Sequence, residues 1–105
     1  MRYLNFSEDF MEKIKSGEKV ATLRLGIKDY RVGEKVIIKC GDKEIGVAEI
    51  QEVNFKKFKD LEYVDIILDG YKSKEELKKD LKKFYGEFKE EDIFTQIIFE
   101  LCEVE

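Results

Sequence analysis

Apolar residues recur every four positions at Phe6, Phe10 and Ile14, a spacing that puts them on one face of a helix. Ser7 offers a side-chain oxygen to cap its start, and Gly17 stands where a left-handed residue would end it. The period then changes. Residues 20–25 read as a strand, 26–33 as a charged loop and 34–40 as a second strand. Gly41-Asp42-Lys43 makes a tight turn, and residues 45–53 return as a third strand, completing a hairpin. Phe55, Phe58 and Leu61 predict a short covering helix, and residues 63–68 fit either a strand or a helix. Ser73-Lys74-Glu75-Glu76 is a capping box that opens a helix with Leu77, Leu81, Phe84 and Tyr85 on one face and Gly86 at its end. Residues 93–104 are rich in β-formers and close the chain as a long strand. So many strands in so short a chain bury more surface when curled than when flat, which predicts a small α+β barrel with two or three covering helices.

At 105 residues with 43% apolar positions, the chain makes one domain over 1–105 with one core of moderate size. Charged residues reach 42%, yet the net charge is only −4, which excludes a globally basic nucleic-acid binder. The charge is uneven: residues 1–43 carry a balance of +3 and residues 44–105 one of −7, so a local basic face is available in the front half. There is no histidine, which removes Ser-His and Cys-His catalysis and imidazole metal ligands together. Proton transfer must then fall to Lys, Asp, Glu, Tyr or Cys. Proline and tryptophan are absent, the amides number four, and Lys and Glu dominate the charges, a composition expected of a thermophile. Cys40 and Cys102 read as small buried hydrophobes rather than a disulfide, and no metal and no cofactor is predicted. No apolar run is long enough for a membrane span and the first residues lack a signal-peptide core, so a cytoplasmic location is expected.

The stretch Gly17-Glu18-Lys19-Val20-Ala21-Thr22-Leu23-Arg24 carries the chemistry. It sets a helix-ending glycine, a lysine, a threonine and an arginine at a helix-to-strand junction, in a chain with two threonines and three arginines. In a strand Thr22 and Arg24 share a face, and a bend after Gly17 would bring Lys19 to the same place. This segment, with Gly33-Glu34, Asp69-Gly70-Tyr71, Tyr85 and Thr95-Gln96-Ile97-Ile98-Phe99, resembles the ASCH domain family over nearly the whole chain. The resemblance implies a PUA-like barrel, related to RNA-binding modules, with a cleft lined by the motif. Some small members of the family, similar in length to this chain, are amidohydrolases that remove acetyl from N4-acetylcytidine with a lysine, a threonine and a glutamate. Carried over, these positions fall on Lys19, Thr22 and Asp69, the last being one methylene shorter than glutamate.

Two function classes follow. The first is a module that binds RNA or a modified nucleoside in the cleft of Lys19, Thr22 and Arg24, with Gly17, Lys28 and Tyr30 as further binding residues: Lys19 and Arg24 meet a phosphate, Thr22 donates a hydrogen bond, and Tyr30, between Lys28 and Arg31, stacks on a base. The second is the amidohydrolase, in which a desolvated Lys19 takes the Thr22 proton. A third, a protein-interaction module, would use exposed apolar surface around Phe55 and Phe58. The lysine pairs at 56–57, 78–79 and 82–83 read as solvated helix faces, and by base rate any one of the seventeen lysines is a surface charge.

Overall fold

The computed structural model describes residues 1–104. Five strands form one sheet: β1 (Arg2–Phe6), β2 (Ala21–Leu25), β3 (Lys35–Cys40), β4 (Lys43–Lys57) and β5 (Ile93–Val104). Three helices accompany them: α1 (Met11–Ser16), entered through a 3-10 turn at Glu8–Phe10; α2 (Tyr63–Leu68), preceded by a 3-10 turn at Phe58–Asp60; and α3 (Lys74–Tyr85). The strand order is β1-β3-β4-β5-β2, with β1 parallel to β3 and the other pairs antiparallel. β4 is 15 residues long and pairs with β5 along most of its length. Its register with β5 shifts between Val47 and Ala48 and again between Ile50 and Glu52, and such bulges bend a strand and sharpen its twist. The sheet therefore curls into a half-barrel whose two edges, β1 and β2, are joined by no ladder among the described residues.

This is the predicted α+β architecture, with one strand more than the residue pattern indicated. β1 alternates, with Leu4 and Phe6 buried and Arg2, Tyr3 and Asn5 outside, but five residues give too short a repeat to stand out. Phe6 accordingly ends a strand instead of starting a helix, and Ser7 accepts from the amide of Asp9 to cap the 3-10 turn. Residues 63–68 are helical. β4 runs on through Phe55, while Phe58 is fully buried, so the apolar surface expected around that pair shrinks to Phe55. Of the two cysteines expected to be buried, Cys40 is and Cys102 is exposed, since β5 outruns the covering elements at its end.

Burial divides by sheet face. Leu4, Val36, Ile38, Ala48, Ile50, Ile97 and Phe99 pack on one side together with Ile14 of α1. On the other, α2 and α3 press Ile66, Leu77 and Leu81 onto Leu23 and Phe94. α2 is held there by polar contacts as well. Asp65 is 2% exposed and its carboxylate accepts from Lys56 Nζ and Gln96 Nε2, both at 2.8 Å, and from the Glu62 amide. Burial alone would raise this carboxyl, but the bonds from Lys56, Glu62 and Gln96 outweigh it and hold Asp65 below its ordinary value. The group therefore contributes stability above the usual carboxylate range and loses it as pH falls through the depressed value. Replacing Asp65 by Ala leaves Gln96 Nε2 buried without an acceptor and should cost about 2–3 kcal/mol in urea unfolding. A loss under about 0.5 kcal/mol would show that apolar packing alone seats α2.

Candidate functional site

The site forms where the sheet fails to close. α1 ends at Gly17, whose φ of 83° is the left-handed value glycine adopts without a Cβ clash. The chain then turns so that the Lys19 amide donates to Lys13 O and the Val20 amide to Leu68 O, both at 2.9 Å. These bonds lay the start of β2 against the end of α2. At that end the Gly70 amide donates to Ile67 O and the Tyr71 amide to Ile66 O, a double helix-ending turn with Gly70 in the left-handed position. A Cβ on Gly70 would lie 3.1 Å from Lys19 Cβ, so glycine also permits the close approach of the two segments.

The result is a buried pair. Lys19 Nζ donates to the Asp69 carboxylate and, at 3.1 Å, to the Asp69 carbonyl, and both side chains are 3% exposed. Three rings surround the ammonium, with Phe10, Tyr71 and Phe6 at 4.8, 5.7 and 5.8 Å from nitrogen to ring centre. Burial pushes Asp69 up to about 6 against the opposing pull of Lys19, and burial likewise lowers Lys19 despite its carboxylate partner, with Arg24 and Lys13 adding to the decrease. Both shifts favour the uncharged forms, so ion pair and neutral pair lie closer in energy than in water. From Asp69 alone, stability rises as pH falls from about 6 toward the ordinary carboxylate range, because the folded chain then holds a proton that the unfolded chain has released.

Thr22 is buried one turn of strand beyond, and its hydroxyl oxygen accepts from Arg24 Nε at 3.3 Å. Arg24 continues across the open seam. Its Nη2 donates to Asn5 O of β1 at 2.7 Å, and its guanidinium lies 5.1 Å from the Phe6 ring centre. On the far side Tyr71 donates its hydroxyl to Asp80 of α3 at 2.7 Å; burial first, then this bond, pushes the phenol up, so it stays protonated. Between these groups lies a cavity of about 170 Å³, whose polar lining includes Lys19, Thr22, Arg24 and Asp69, with Asn5 and Ser7, and whose aromatic lining includes Phe10, Tyr71, Phe84 and Tyr85. That is room for one heterocyclic ring rather than for a length of polynucleotide.

Of the residues singled out in the sequence, Lys19, Thr22, Arg24 and Asp69 therefore meet in one cavity. Gly17 acts one step back, as the bend that turns Lys19 inward. Lys28 and Tyr30 lie elsewhere: the Lys28 amide donates to Thr95 Oγ1, and the Tyr30 ring packs on the first core beneath the Arg2 guanidinium, 4.3 Å from its centre. One face of Tyr30 is thus already occupied by Arg2, which is itself held by Glu34. The base-rate expectation of a solvated Lys19 does not hold. Helical spacing alone does not mark the cavity's aromatic walls; Phe84, on the apolar face of α3 yet 52% exposed, is the one that distinguishes a wall from a filling.

A curled mixed sheet with an unclosed seam, covered by helices and holding a polar cavity at the seam, defines a small PUA-like α+β domain. The ASCH domain family model matches residues 2–103, and the chain belongs to that family. No curated protein sequence matches it significantly. Among solved structures it is similar to the ASCH domain from Lactobacillus crispatus JV V101, at 19% identity and TM-score 0.79 over 96% of this chain and 82% of that one. Protein EF3133 from Enterococcus faecalis V583 matches at 14% identity and TM-score 0.77 over 100% and 83%. Hypothetical protein PH0355 matches at 27% identity and TM-score 0.74 over 97% and 100%.

The buried pair makes a distinctive stability prediction. Asp69→Ala strands an ammonium in an aromatic box and should cost about 3–5 kcal/mol, whereas the double change Lys19→Met with Asp69→Leu should recover most of that loss. Urea unfolding of the three chains checks it; a double variant as unstable as Asp69→Ala would mean that the pair holds the fold together.

Proposed function

We propose that the cavity takes one modified nucleoside and hydrolyses its exocyclic acetamide, with N4-acetylcytidine as substrate. The observation that carries this reading is the Lys19–Asp69 pair, both members buried at 3% exposure and both shifted toward their neutral forms. A pair so buried contributes little to stability against an apolar replacement, and its perturbed protonation is what general acid–base work at neutral pH requires. When the shared proton sits on Asp69, Lys19 presents a neutral amine. That amine accepts the Thr22 proton as Oγ1 attacks the acetyl carbonyl, and the protonated pair returns a proton to N4 as the C–N bond breaks and cytidine leaves. Water then releases acetate from the threonine ester. Arg24 Nε, already donating to Thr22 Oγ1, stabilises the developing negative charge there without taking up the hydroxyl proton.

A second reading, binding of RNA or a modified nucleoside without turnover, is favoured by one observation: the Thr22 hydroxyl is bonded to Arg24, and no hydrogen bond joins it to Lys19 among the described residues. With a net charge of −4 and Arg24 as the partly exposed cation of the cavity lining, such binding would engage few phosphates. Its affinity should fall with a salt slope of only about two to four contacts. A steeper slope in a salt titration would demand a basic surface away from the cavity.

The two readings part at Thr22→Val, which keeps the branched shape and removes the hydroxyl. Turnover of N4-acetylcytidine should fall by several orders of magnitude with ligand affinity nearly unchanged, whereas a binding cleft should lose about 1 kcal/mol of affinity. Absence of deacetylation by the unaltered protein would sink the hydrolytic reading for this substrate. The pH dependence of turnover should be bell-shaped, with the acid limb near 6, where the pair gains its second proton, and the alkaline limb below the ordinary lysine value.

A further inference from the structure

The same cavity has a further wall, made of backbone. β2 pairs with β5 alone, and the bonds from the Phe99 amide to Val20 O and from the Gly26 amide to Ile93 O fix which residues of β2 face β5. In an antiparallel ladder these are alternate residues, so Thr22 and Arg24 bond to Ile97 and Thr95. The N–H and C=O of Leu23, between them, point the other way, toward the seam. β2 has no ladder partner on that side, and no turn, loop or side-chain hydrogen bond reaches either group among the described residues, although Leu23 is 4% exposed. The cavity lies off this free edge, because it is lined from both faces of β2: by Thr22 and Arg24 on one side, and by Leu23, Leu77 and Leu81 on the other. A buried backbone donor and acceptor with no partner is rare in folded proteins and calls for a ligand or an ordered water.

We infer that the Leu23 N–H and C=O read the ring edge of a 4-aminopyrimidine. In an extended residue these two groups lie side by side and coplanar, so they match a ring carrying an in-plane acceptor next to an in-plane donor. Cytosine does so with N3 and N4–H, and an N4-acetyl group leaves both in place. Leu23 N–H donates to N3 and Leu23 C=O accepts from N4–H. The aromatic walls at Phe10 and Phe84 are at hand for the ring faces, and Lys19, Thr22 and Asp69 stand beside the same edge. This assignment rests on the nucleoside reading above and adds its specificity determinant, which no side-chain substitution pattern would reveal.

The test is spectroscopic and independent of turnover. In the free protein, the Leu23 amide should exchange with solvent faster than the amides of Thr22 and Arg24, which are bonded to β5. Titration with cytidine should shift the Leu23 amide proton downfield and slow its exchange. 3-Deazacytidine, with C–H in place of N3, and N4,N4-dimethylcytidine, without the N4–H, should each bind about tenfold more weakly, since each leaves one Leu23 group unpaired. Equal affinity for cytidine and both analogues, or a Leu23 amide that cytidine does not move, would overturn the assignment. A Leu23 amide as protected as its neighbours without ligand would overturn it too. Continued deacetylation of N4-acetylcytidine alongside any of these results would leave the hydrolytic reading standing, and its loss in Thr22→Val would not touch this one.

Discussion

The constraint from which the other features follow is a sheet that curls but does not close. Five strands are too few, at this length, to bring β1 and β2 within ladder distance, so two strand edges face each other across a gap. Unpaired edges inside a protein are expensive, because each exposed N–H and C=O must find a partner or stay wet. The chain handles the gap unevenly. Arg24 spans one part of it, from Thr22 to Asn5, with its guanidinium over Phe6. α3 and the 3-10 turn at Glu8–Phe10 cover another part with Phe84 and Phe10. What stays open is the cavity.

Placing a lysine and an aspartate at the bottom of that opening works against stability. Burial opposes both charges, and their mutual attraction does not restore either to its solution value. The three surrounding rings offset part of the cost to the ammonium, and the second bond, to the Asp69 carbonyl, keeps one donor satisfied when the carboxylate changes state. Asp65, on the short helix that Asp69 caps, equally little exposed but less deeply packed, is the internal contrast. Its three bonds come from a partly exposed lysine, a glutamine and an amide, and its carboxyl is held down instead of pushed up. One carboxylate fastens α2 to the sheet; the other, four residues on, is left poised.

The sequence made some of this legible and hid the rest for identifiable reasons. α3 and the long last strand are local patterns; Ser73 Oγ accepts from the Glu76 amide as expected, but the reciprocal half of the box is replaced, since Glu76 Oε2 accepts from the Lys72 amide instead of that of Ser73. The bend at Gly17 and the convergence of Lys19, Thr22 and Arg24 follow from one glycine and an eight-residue spacing, so they too could be read locally. β1 could not, since its five residues have meaning only as a parallel partner of β3, more than thirty positions away. The surroundings of Tyr30 were hidden for a related reason: its neighbours in sequence include cations, and only the fold brings Arg2 onto its ring. The cavity's aromatic walls could not be told from core, because spacing on a helix does not say whether an apolar face meets packed atoms or a void.

Absence of histidine gives the arrangement its logic. Without an imidazole, a chain needing a group that holds or releases a proton near neutrality must move a lysine down or a carboxylate up, and either shift demands burial. Burial of one alone would leave an unpaired charge in whichever state is ionised, so the two are buried together and share the burden. A closed barrel would fill such a place with packed side chains, and an open sheet would wet it. The seam between β1 and β2 gives a place where a buried charged pair lines a cavity. The helix-ending turn at Gly70 and the bend at Gly17 are therefore best understood as devices that aim two backbones at that seam. Gly70 lets the two segments approach until Asp69, one methylene shorter than glutamate, reaches Lys19.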